Sequence, residues 1–130
     1  MKGNPSKRQN EKGLGVNMNE KLKIELLKNK DDLIEGTFCY QLFEDGMFNE
    51  NLMVALINGA GDFLKENSRG NEVKDLLTWV VRGMDQCFLS NSDDDDLYTI
   101  KNYNVGMEEK WRNDWKLLIV KLTKNSLSSL

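Results

Sequence analysis

Histidine is absent from this chain, and that absence narrows the chemistry at once. The commonest general base at neutral pH is missing, and no zinc set can be completed from Cys39 and Cys87, which form no C-x-x-C pair. Both cysteines fall among apolar neighbours and read as buried small hydrophobes. No run approaches the ~20 apolar residues of a membrane-spanning helix. The single proline, Pro5, lies in a polar, basic N-terminal stretch with Lys2, Lys7, Arg8 and Lys12, and no apolar segment follows to make a secretory signal. These absences point to a cytoplasmic chain with reduced thiols. No nucleophile elbow, phosphate-binding glycine loop or dinucleotide fingerprint occurs, so the expectation is a non-enzyme with no catalytic residue, cofactor or metal site.

What remains is enough for one domain. A chain of 130 residues with 39% hydrophobic and 30% charged residues supports a single core under a large polar surface. Residues 1–17 read as a disordered basic leader, 18–125 as one helical domain and 126–130 as a disordered tail.

Apolar spacing through the body is helical. A first helix is expected over about 19–29, with Leu22, Leu26 and Leu27 inward. A second is expected over about 32–43, opened by the capping-box pair Asp32 and Glu35. The third, about 50–65, carries the stripe Leu52, Met53, Leu56, Ala60, Phe63 and Leu64. Its Gly59-Ala60-Gly61 step predicts either close approach of a neighbouring helix or a bend. Gly70 and Asn71 mark a stop and restart. The fourth helix, about 72–89, has the widest stripe, from Val73 to Phe88, as a central bundle helix should. The last, about 107–124, buries Trp111, Trp115, Leu118, Ile119 and Leu122, although the apolar run Leu117 to Val120 also admits a strand. The fold class is all-α, a compact bundle of about five helices, with a short hairpin conceivable near residues 97–105.

Charge is sorted along the chain. Residues 1–30 hold eight Lys/Arg against three Glu, 31–99 hold four against fifteen Asp/Glu, and 100–130 hold six against three. The middle block makes an acidic belt suited to a cationic partner. Its carboxylates Glu44, Asp45, Asp62, Glu66, Asp85, Asp93, Asp94, Asp95 and Asp96 are the candidate contacts. The run Asp93 to Asp96 lacks the alternating ligands, sixth-place Gly and twelfth-place Glu of a calcium loop. Tyr98 and Tyr103 follow it directly, and either could anchor an interface or pack beneath the loop. Trp79, at its helix's stripe edge near Gly83, is a third candidate anchor. Phosphate would be repelled by the belt, so no direct nucleic-acid binding by the body is expected. A homodimer through Leu117 and Val120 is a further possibility.

A small chain with an acidic middle, the belt from Asp31 to Asp96, and aromatics such as Tyr98 beside Asp93–Asp96 resembles bacterial toxin-immunity proteins, including those of contact-dependent growth inhibition. The resemblance is one of character over residues 18–124. It implies a protein that covers a cationic toxin domain, in particular a nuclease, through its acidic surface. Two other readings stand beside it: a DNA-mimic or phage-borne inhibitor of a nucleic-acid-binding enzyme, and a non-catalytic helical interaction module.

Overall fold

Two helices start where an asparagine side chain serves an unpaired backbone N–H group. In this computed structural model, which describes residues 14–31, 33–67 and 69–128 with side chains between 19 and 124, Asn49 Oδ1 accepts from the Leu52 N–H and opens α3 (Glu50–Glu66). Asn104 does the same for Met107 at 2.7 Å and opens α5 (Val105–Lys110). Beyond α5 the rod continues through a π turn (Trp111–Trp115) into α6 (Lys116–Ser128). α1 (Leu14–Leu27) ends in a 3-10 turn (Lys28–Lys30), α2 (Phe38–Phe43) is short, and α4 (Asn71–Ser92) is the longest element. The protein is all-α, with five helices when the α5–α6 rod is counted as one, and no strand among the described residues.

α1 and the α5–α6 rod each pack against both α3 and α4. Side-chain pairs give the directions. Leu22 and Leu26 lie over Gly59, and Leu122 lies over Gly61. Lys110 reaches Glu50 and Lys116 reaches Asp85, so the rod runs parallel to α3 and antiparallel to α4. The Gly59-Ala60-Gly61 step is therefore a close approach on two sides, and α3 passes through it without a break. Phe38, Leu42, Met53, Leu76, Leu77, Val80, Met84, Trp111 and Ile119 fill the centre.

Several expectations are corrected. The second helix begins at Phe38, not near residue 32. Gly36 stands at φ +89°, which ends any helix there, and Thr37 caps α2 by accepting from the Tyr40 N–H. Asp32, the expected cap, lies outside the described residues. α4 starts at Asn71 behind Gly70, without a side-chain cap. Residues 14–17, expected in the leader, belong to α1, and 126–128, expected in the tail, belong to α6, while 1–13 and 129–130 lie outside the described residues. Residues 111–122 are helical, which removes the strand alternative. Leu118 is half exposed, because the π turn shifts the phase of the helix before it. No hairpin forms near 97–105. That connection bonds instead to the segment after α2, with the Lys101 N–H donating to Gly46 O and Asn102 bridging both backbone groups of Phe48.

The two positive-φ glycines separate two costs. At Gly46 (φ +68°) an added Cβ would stand 2.6 Å from the Thr99 carbonyl oxygen, whereas at Gly36 it would meet nothing within 4 Å. Gly36→Ala should lose about 1–2 kcal/mol from the left-handed backbone alone. Gly46→Ala should lose at least about 1 kcal/mol more from overpacking against backbone. Urea denaturation of the two variants checks this order.

Candidate functional site

The candidate surface is assembled by backbone that the connection after α4 shares with the turn after α2. The Tyr98 hydroxyl donates to Leu42 O at 2.5 Å, and the Ile100 N–H donates to Asn91 Oδ1 at 2.7 Å. Together with the Gly46–Lys101 and Phe48–Asn102 bonds, these place Glu44 and Asp45 at the same end of the bundle as Asp93–Asp96. All six carboxylates are exposed, and none has a basic partner among the described residues. Asp93 and Asp96 each turn one oxygen onto a local backbone N–H, of Asp95 and Tyr98, which shapes the loop. Lys101 lies against Gly46 and is the cation placed beside this group by contact.

The remaining candidates divide differently. Asp62 and Glu66 are exposed, but they sit on the last turns of α3. A rise of 1.5 Å per residue puts the end of α3 about 24 Å from its start, so these two belong to the opposite end of the bundle. Asp85 is half exposed but already paired within the fold. Trp111 Nε1–H donates to its Oδ1 at 2.9 Å and Lys116 Nζ to its Oδ2 at 2.7 Å, tying α4 to the π turn. The belt expected from composition is thus not continuous: helix length separates its two ends, and the basic last helix neutralises part of its middle.

Both tyrosines pack down instead of outward. Tyr98 is half-buried against the core, with its hydroxyl near the Cys87 thiol. Burial, then the Cys87 contact, raises the Tyr98 pKa well above the ordinary phenol value. Burial also pushes Cys39 up to about 12, and both cysteines are free and inert, as small hydrophobes should be. Tyr103 stacks edge-on near Phe88 and donates to Glu108 Oε1 at 2.5 Å. This hydroxyl, with the Arg112 guanidinium, holds Glu108 below the usual carboxylate range.

Trp79 behaves as a candidate anchor. It is 36% exposed, meets Phe43 edge-on at 5.3 Å, and has Lys30 Nζ 5.9 Å over its ring. Phe43 in turn lies over Gly83, where an added Cβ would stand 2.5 Å from the ring. Leu97, which sequence reasoning passed over, is fully exposed directly after the aspartates, and Leu89 and Met47 are exposed at the same end. Its signal was an apolar residue stranded between four carboxylates and a tyrosine. Leu117 is exposed and Val120 half-buried on α6, so the proposed dimer contact has only one projecting residue of the two. Among the described residues no three acidic or thiol side chains converge as metal ligands would, and no helix is long and apolar enough to cross a membrane.

Tyr98→Phe removes one of two donors to the Leu42 carbonyl, which keeps the Gly46 N–H, and should cost about 0.5–1.5 kcal/mol in thermal unfolding. Tyr103→Phe should raise the Glu108 pKa toward the ordinary carboxylate value, as followed by carboxyl NMR. Because the folded pKa is depressed, this contact stabilises above the unfolded carboxylate pKa and is lost as pH falls through the folded one. The stability difference between wild type and Tyr103→Phe should accordingly be present at neutral pH and vanish in acid. No protein-family model matches the chain, and neither the curated proteins nor the solved structures searched contain a match to it.

Proposed function

We propose that this chain is a non-catalytic binding protein that docks a cationic protein on the acidic end of its bundle, as a toxin-immunity protein docks its toxin. One observation carries the reading. Six exposed carboxylates, Glu44, Asp45 and Asp93–Asp96, share one end of the bundle with the fully exposed Leu97. Fields from grouped carboxylates steer a basic partner and raise its encounter rate. Leu97, with Leu89 and Met47 exposed at the same end, offers apolar area that can be desolvated to slow release. Tyr98 and Tyr103 support this surface from beneath, and Asp62, Glu66 and Asp85 lie outside it.

A DNA mimic would need carboxylates tracking a groove over several phosphate spacings. Their grouping at one end supports a protein partner instead.

The test takes the basic protein that co-purifies with the full chain from its native cell and measures association kinetics in stopped flow. Replacing Asp93–Asp96 by Asn should lower the association rate about ten-fold or more at low salt and flatten its salt dependence. Leu97→Ser should mainly speed dissociation. An unchanged rate and salt slope in the Asn variant would remove this end of the bundle from the interface. Displacement of the partner by random-sequence DNA would favour the mimic.

A further inference from the structure

We propose that the recess beside Trp79 receives one arginine side chain of the partner, an inference that rests on the docking reading above. The recess lies where the end of α1 meets α2 and α4, with a volume of about 240 Å³. Pockets for drug-sized ligands run about 300–1,000 Å³, so this one suits a single side chain. Trp79, Phe43 and Tyr40 supply aromatic surface, while Asp31 and Glu44 supply carboxylates at its rim. Aromatic faces joined to carboxylates attract a cation with an apolar stem, and a planar guanidinium stacks on indole while pairing with carboxylate.

Two further observations favour that occupant. A cation is already drawn to this ring, since the chain's own Lys30 ammonium stands 5.9 Å over Trp79. The exposed Lys30 side chain stands over the ring without lining the recess, and a partner's guanidinium would compete with it for the indole. The walls are also held in advance. Asn29 donates to Leu26 O and accepts from the Cys39 N–H, joining α1 to α2, and Asp31 Oδ1 accepts from the Leu33 N–H. Glu44 belongs both to this rim and to the acidic end, so the recess borders the docking surface.

The full chain, labelled with nitrogen-15, would be titrated with N-acetylarginine methylamide and with its neutral citrulline isostere. The Trp79 indole N–H signal reports on the recess, because the Trp111 N–H is committed to Asp85 and Trp115 is buried. A saturable shift with the arginine compound and none with citrulline is the expected result. Lys30→Ala removes the resident competitor and should tighten binding about two- to five-fold, the range of an exposed cation–π contact. Glu44→Gln should weaken it, and Trp79→Leu should abolish perturbation of the neighbouring α2 amides. No shift, an equal shift with citrulline, or weaker binding in Lys30→Ala would overturn the proposal. Replacing Asp93–Asp96 by Asn should leave this small-molecule shift in place while slowing the partner protein. Loss of the shift alone overturns the recess, and an unaltered partner rate alone overturns the docking surface.

Discussion

The closure of Asn102 on the backbone of Phe48 is the constraint on which the candidate surface depends. Phe48 is buried between Phe38 and Trp115, at ring distances of 5.6 and 5.5 Å, so the turn that carries it is drawn into the core. Its N–H and C=O are then cut off from water, and each would cost about 1–3 kcal/mol if left unpaired. Asn102 satisfies both with one amide, at 2.9 and 2.7 Å. Neighbouring bonds from Lys101 to Gly46 and from Ile100 to Asn91 carry the same fixation outward on both sides. Acidic residues from two remote parts of the chain consequently face solvent together, and they do so through neutral backbone chemistry and not through any contact of their own.

The distribution of charge follows from the same packing. The basic last third of the chain folds along the acidic middle third, because α6 packs against both α3 and α4. Where the two meet, acids are taken up: Asp85 by Lys116 and Trp111, and Glu50 by Lys110. At the other end Lys23 reaches Glu72. Among the described residues the loop of Asp93–Asp96 and the turn at Glu44 and Asp45 stay without a basic partner, as do Asp62 and Glu66 at the opposite end. A linear charge block is thus divided between the two ends of the bundle by the geometry of antiparallel helices, with its longest run in the loop of Asp93–Asp96.

Much of the fold was legible in the sequence because helix burial repeats with a fixed period. The stripes of α3 and α4 follow directly from that period, whereas the glycines of α3 admit either a close approach or a bend, and the structure has the approach. Residues 31–37 were misread because the apolar Leu33 and Ile34 mimic the period, while the positive φ of Gly36 that breaks it has no periodic signal. Tyr98 and Asp85 illustrate why the site was only partly readable. Adjacency along the chain placed Tyr98 on the acidic loop, but its partners are Leu42 and Cys87, which only tertiary packing brings near. Asp85 sits on the polar side of its helix and is nevertheless met by a tryptophan from another one.

The division of labour at the acidic end can be argued from magnitudes. Exposed ion pairs contribute about 0–1 kcal/mol each and are screened beyond about 8 Å at physiological salt. Six such carboxylates would therefore hasten encounter more than they would hold a complex together. Their mutual repulsion in the free protein adds a second effect, since a cationic partner relieves it on arrival. Residence must come from area that loses water, and burying one leucine side chain is worth about 1.5–3 kcal/mol. A lone exposed leucine needs no explanation on an ordinary surface. Leu97 differs by its position, since it directly follows four exposed aspartates, whose charge would steer a cationic partner toward it. A loop serving solubility alone requires the aspartates but gains nothing from the leucine, whereas a docking loop uses both.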